Sequence, residues 1–154
     1  MSNLNTLVYE SSAANRYATF FFGQYDATTR VLDYVNCGHN PPMVFRQSGA
    51  VIRLDTGGPV IGLIEQARYS QGSTTLQDGD VLVAFTDGIS EAMNGRDEEW
   101  GEERLAAAVL PARSQTARHL IETIMQEADT FVAGARQYDD MTVVVVRLTT
   151  GTKP

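Results

Sequence analysis

An aspartate that follows directly on a run of apolar β-formers, with glycine after it, can present oxygen donors at the mouth of a stiff strand. The sequence has this arrangement at Asp87, where Val-Leu-Val-Ala-Phe at residues 81–85 leads into Thr86, Asp87 and Gly88. A carboxylate there suits a hard cation such as Mg²⁺ or Mn²⁺, which prefers oxygen ligands and can activate water. The glycine allows a sharp turn and a close approach of backbone. Asp139 and Asp140 stand just before four consecutive valines, residues 143–146. Adjacent acids repel unless a cation or solvent relieves them, and on a strand they point to opposite faces, so at most one easily faces inward. Each motif alone also reads as a turn, with Asp87 bonding the amide of Ile89 or Ser90 and the later pair simply solvated. Their joint presence shifts the balance, because on neighbouring strands these carboxylates could converge on one cation.

The sequence offers little for nucleophilic chemistry. Cys37 is the single cysteine, so it forms no internal disulfide, makes a poor start for a zinc site and reads as a small buried hydrophobe. His39 sits in Gly-His-Asn-Pro-Pro, where a structural turn role is favoured over acid–base work. His119 falls on the polar side of a helical pattern. Gly57, Gly58 and Gly62 serve a loop rather than a phosphate cradle, since no helix start follows them.

The elements that must hold the acids follow from periodicity. Residues 17–25 and 30–36 predict a hairpin, and residues 43–46 and 51–54 a second one about Ser48 and Gly49. Residues 69–76 alternate, a turn follows at 77–80, and residues 81–85 predict a central strand buried on both faces. The first half thus predicts a β-meander. A helix is expected over residues 102–110, stopping at Pro111. Ser114 is the expected N-cap of a longer helix ended by Gly134, with Ala117, Leu120, Ile121, Ile124, Met125, Ala128 and Phe131 on its core face. Residues 141–148 predict a last buried strand. The class is α+β with mostly antiparallel pairing. The aromatic strand at 17–25 is of a kind expected inside a sheet, which suggests partners upstream of Met1.

The composition fits one compact domain, with 154 residues of which 43% are hydrophobic. No apolar stretch reaches membrane-spanning length, and residues 1–15 lack signal-peptide features, so a cytoplasmic protein is expected. A net charge of −7 argues against a nucleic-acid ligand and is compatible with protein partners.

Three blocks carry a resemblance: Asn-Cys-Gly-His-Asn-Pro-Pro at 36–42, Phe-Thr-Asp-Gly-Ile-Ser-Glu-Ala at 85–92, and Tyr-Asp-Asp-Met-Thr followed by the valines at 138–146. They resemble, in order, signature blocks of the stage II sporulation E-type (SpoIIE-type) branch of the bacterial metal-dependent, 2C-like serine/threonine phosphatases. Asn15-Arg-Tyr-Ala-Thr-Phe-Phe, Gln77-Asp-Gly-Asp-Val-Leu and Trp100-Gly-Glu-Glu-Arg-Leu are similar to the family's phrasing as well, and the likeness runs from about residue 4 to residue 148. The resemblance implies an α/β/β/α sandwich of two antiparallel sheets flanked by helices. It also implies a binuclear Mn²⁺ or Mg²⁺ centre and hydrolysis of phosphoserine or phosphothreonine by metal-activated water, without a phosphoenzyme.

Carried over by residue, Asp87 and Asp139 are ligands of one metal, and Asp140, where relatives carry Asp or Asn, ranks below Asp139. The family's first signature, a glycine-rich block whose Asp bridges both metals, has no counterpart in these residues. Residues 1–154 are therefore expected to be the C-terminal portion of a single phosphatase domain that lacks its N-terminal strands and is weak or inactive alone. The implied substrate is a phosphorylated anti-sigma-factor antagonist, and the implied companion is an upstream sensory or signalling domain. A homodimer through open strand edges is a further expectation. The rival reading is a non-catalytic binding or regulatory module derived from the phosphatase fold.

Overall fold

The computed structural model describes residues 1–12, 16–135, 137 and 139–149. Asn15 and Tyr138, both quoted above as motif residues, lie outside these. In chain order the elements are α1 (Ser2–Ser11), β1 (Phe20–Asp26), β2 (Val31–Cys37), β3 (Met43–Phe45), β4 (Val51–Arg53), β5 (Gly57–Gly58), β6 (Gly72–Thr75), β7 (Val81–Phe85), α2 (Asp87–Ser90), α3 (Gly101–Ala112), α4 (Ala117–Val132) and β8 (Val143–Arg147). They form two compact units, Met1–Pro41 with Leu54–Leu76 and Pro42–Arg53 with Gln77–Pro154.

The first unit holds α1 and a sheet in which β2 pairs with β1 and β6 antiparallel and with β5 in parallel. The predicted first hairpin forms, with Asp26 opposite Val31. Its turn is held by Asp26 Oδ1, which accepts the amides of Thr28 at 2.7 Å and Thr29 at 3.2 Å. Those backbone bonds keep the Asp26 carboxyl below its ordinary range. Among the described residues the aromatic strand β1 is at the sheet edge, paired along its length with β2 alone. Phe20, Phe22 and Tyr25 are 39, 46 and 40% exposed. Propensity for a pleated surface does not report position within the sheet.

Helix α1 is fixed by Asn5, which is buried in the middle of it. Its Nδ2 donates to the carbonyls of Ile64 and Glu65, and its Oδ1 accepts from the Gly62 amide and the Tyr69 hydroxyl. All the bonding capacity of the buried amide is used, as burial requires.

Cys37 has no exposed surface, and burial pushes its thiol above the ordinary range. Below about pH 8.5 the thiol is neutral in both folded and unfolded chains. Above that, the unfolded chain releases a proton that the folded chain keeps, so stability should fall as pH rises toward the folded value. Urea melts from pH 8 to 9.5 should show that fall in the wild type and a smaller one in Cys37→Ala. A thiol reagent should label Cys37 only as the chain unfolds.

The second unit is built on a fully antiparallel sheet ordered β4-β3-β7-β8. The expected meander is therefore absent, because β3 and β4 pair with each other and with later strands while the chain returns to the first sheet for β5 and β6. β7 is interior as expected, with Val81, Val83 and Phe85 buried and the alternate residues half-buried. β8, expected to be a buried strand, is an edge. Val143 and Val145 pack against the core, but Val144 and Val146 are 54 and 44% exposed.

The core of this unit joins Phe45, Val83 and Phe85 to Leu105 and Val109 of α3 and Leu120, Ile124 and Ala128 of α4. Trp100 completes it, 2% exposed. α4 starts later than Ser114, at the N-cap Thr116, whose hydroxyl accepts the His119 amide at 3.2 Å. It ends where Ala133 turns left-handed before Gly134. Two mostly antiparallel sheets with helices give the α+β class expected. No helix among the described residues is long and apolar enough to cross a membrane.

Candidate metal centre

The sequence sets one condition for the acids to meet: their strands must be neighbours. β7 and β8 are paired antiparallel, with Phe85 opposite Val143. The Thr86 amide carries the ladder one step further by donating to the Thr142 carbonyl at 3.0 Å. The outgoing end of β7 and the incoming end of β8 therefore coincide. Asp87 and the Asp139–Asp140 pair lie at that shared end.

Beyond Thr86 the chain turns at once into the single helical turn α2. Ile89, fully buried in the core, anchors that turn, and its amide bonds the Thr86 carbonyl at 3.0 Å. The turn brings Gly88 against the other motif, where a Cβ on Gly88 would lie 2.4 Å from the Asp140 carbonyl oxygen. Glycine is required there by close approach, since its φ is not in the left-handed region.

All three aspartates are exposed at this end. Asp87 Oδ1 accepts the Gly88 amide at 3.0 Å, rather than that of Ile89 or Ser90, and Asp139 Oδ1 accepts the Asp140 amide at 2.7 Å. The loop carrying Asp139 is further tied by Gln137, whose Nε2 donates to the Asp139 carbonyl at 2.7 Å. A cavity of about 260 Å³ opens beside Asp139, with Gly88, Glu91, Met93, Gln137 and Met141 in its wall. With Asp139 and Glu91 both lining it, the cavity favours a cation over a bare anion.

Exposed carboxylate oxygens are a suitable donor set for a hard divalent cation. They do not form a complete cage: among the described residues no group of three or more His, Cys, Asp or Glu side chains is gathered to hold a metal. The donors fit part of a coordination sphere.

His39 belongs to a turn of the first unit. Its amide donates to Asn36 Oδ1 at 2.8 Å and its carbonyl accepts Asn36 Nδ2 at 2.9 Å, so the buried Asn36 side chain ties the Gly-His-Asn-Pro-Pro turn. The close backbone approach expected at Gly88 is made to the Asp140 carbonyl. The motif reading missed Thr86, whose amide and hydroxyl bond the opposing acidic segment; its adjacency to Asp87 was the available signal.

The family model for stage II sporulation protein E (SpoIIE) matches residues 1–149. The chain belongs to the SpoIIE family. Among curated relatives of this SpoIIE-family chain, protein IcfG of Synechocystis sp. is 31% identical over 130 residues, covering 84% of this chain and 20% of IcfG. Phosphoserine phosphatase RsbU of Bacillus subtilis is 25% identical over 151 residues, covering 96% of this chain and 44% of RsbU. The chain thus spans less than half the length of either. Among solved structures, the PP2C phosphatase domain of SpoIIE from Bacillus subtilis, solved with a fragment of its regulatory domain, superposes with a TM-score of 0.76. Its identity is 22%, over 94% of this chain and 42% of that one. That likeness fixes the fold as PP2C-like, and phosphatases of this family are metal-dependent.

Proposed function

We propose that this chain is the C-terminal portion of a metal-dependent protein serine/threonine phosphatase domain, with Asp87 and Asp139 holding one Mn²⁺ or Mg²⁺ and Asp140 in a lesser role. The observation that carries this reading is the shared end of β7 and β8, where Thr86 pairs with Thr142 and the two acidic motifs meet. A divalent cation bound by such carboxylates lowers the pKa of water and neutralises phosphoryl charge. The chain's own contribution is to hold two oxygen donors just beyond the paired ends of β7 and β8, with Asp139 opening on a cavity that Glu91 also lines. Because the donors are few, the rest of the binuclear centre is proposed to come from an aspartate block outside these 154 residues.

The substrate proposed is a phosphoserine or phosphothreonine protein of the anti-sigma-factor antagonist type, acted on in the cytoplasm under an upstream sensory domain. Support comes from the motif resemblance and from the phosphoserine phosphatase among the relatives. Residues 1–154 alone are expected to hydrolyse p-nitrophenyl phosphate or a phosphoserine protein very slowly with Mn²⁺. A chain extended upstream through the missing block is expected to be active and to lose that activity in Asp87→Ala. Robust turnover by residues 1–154 that disappears in Asp87→Ala would show that the extra block is dispensable. An inert extended chain would favour the non-catalytic binding module, a reading that the incomplete donor set also supports.

A further inference from the structure

Thr86 has two backbone duties that would draw its one carbonyl in different directions, along the strand ladder and into the helical turn. As the last ladder residue of β7 it would return a bond to Thr142, since an antiparallel hydrogen-bonded pair exchanges both N–H···O bonds. As the residue before α2 it must give its carbonyl to Ile89, and it does so at 3.0 Å. The side chain resolves the conflict. Thr86 Oγ1 accepts the Thr142 amide at 2.9 Å, in place of the carbonyl, and donates its own proton to the Asp140 carbonyl at 3.0 Å. The strand can therefore end and the helical turn begin within one residue, which sets Asp87 at the first helical position while the neighbouring strand is still held.

The same hydroxyl grips both sides of the opposing acidic segment, since Thr142 lies just after Asp140 and Met141. With Gly88 packed on the Asp140 carbonyl, the backbone of residues 139–142 is fixed at several points by residues 86–88 and by Gln137. We infer that Thr86 is the positioning residue of this centre: its hydroxyl, acting in place of a main-chain acceptor, sets the spacing between Asp87 and Asp139. This deepens the metal-site reading and rests on it for its consequence.

The chain, with Thr86→Ser, Thr86→Val and Asp87→Asn, is titrated with Mn²⁺ by the loss of the free-ion electron spin resonance signal, and amide hydrogen exchange is followed over residues 139–142. Thr86→Ser keeps the hydroxyl and should bind within about threefold of wild type. Thr86→Val keeps the shape without the hydroxyl and should bind roughly 10- to 100-fold more weakly, the cost typical of losing a group that orients a ligand. The Thr142 amide should exchange faster in the valine variant only. Wild-type affinity in Thr86→Val, or equal loss in both variants, overturns the positioning role. If wild type titrates no better than Asp87→Asn, the metal reading fails and exchange alone decides. Faster exchange confined to valine then upholds the hydroxyl as the joint between the segments, and unchanged exchange rejects it.

Discussion

Asp80→Ala is expected to lower the unfolding free energy by about 3–5 kcal/mol, the usual cost of removing one partner from a buried ion pair. Asp80 is 1% exposed and accepts an Arg46 guanidinium nitrogen whose side chain is 17% exposed. The two residues extend the β3–β7 ladder, in which Phe45 faces Val81, by one step. The same carboxylate accepts the Gln77 amide at 2.8 Å and so closes the turn that delivers the chain into β7. Its main-chain carbonyl meanwhile takes the Leu148 amide at 2.9 Å. Alanine would leave the guanidinium without this carboxylate and the Gln77 amide without its acceptor, in a place where water is largely excluded. Urea unfolding should show a large drop in midpoint. Arg46→Met combined with Asp80→Asn should cost less than the sum of the single changes, because the pair is then removed together. A loss of under about 1 kcal/mol would mean that the pair behaves as a surface bridge.

Asp80 and Asp87 show where sequence reading ends. They occupy opposite ends of one strand, each beside a glycine, in Gly79-Asp80 and Asp87-Gly88. Spacing gives no reason to treat them differently. Register does, because Arg46 stands opposite the first and solvent beside the second. The same limit explains β1 and β8. Three phenylalanines and four valines announce strands unmistakably, yet among the described residues both strands are sheet edges, and edge or centre is settled by which distant segments pair. Sheet order was hidden for a related reason. The chain crosses between the two sheets after β2, after β4 and after β6, and nothing local in the connecting turns marks the crossing. What was legible was local chemistry: the hairpin turn at Asp26, the amphipathic stripe of α4 that buries Leu120, Ile124 and Ala128, and the acids at strand ends. The first turn of α4 shows the intermediate case. Ser114 and Thr116 are both good caps by residue type, and Thr116 wins because its hydroxyl reaches the amide three positions on.

Gly88→Ala tests whether the two acidic motifs are locked at the distance the fold gives them. The added methyl would sit 2.4 Å from the Asp140 carbonyl oxygen, 2.9 Å from its carbon and 3.3 Å from the Asp139 carbonyl carbon. All three are backbone atoms, so no side chain can rotate away. Either the 139–140 peptide retreats, breaking the Thr86 hydroxyl bond to Asp140, or α2 lifts and draws Ile89 out of the core it fills. Overpacking of this kind typically costs about 1–3 kcal/mol. The first route also moves the proposed ligands apart, so Mn²⁺ binding should weaken by about tenfold or more. Gly95→Ala is the matched control, since a Cβ there meets nothing within 4 Å. The expected result is a lower melting temperature and weaker Mn²⁺ binding for Gly88→Ala, with Gly95→Ala close to wild type in both. If Gly88→Ala melts lower but binds Mn²⁺ unchanged, α2 has yielded and the carboxylates are not set by this contact. If the two variants behave alike, residues 88 and 140 are not packed in solution as they are here, and the joint between the motifs must lie elsewhere along β7 and β8.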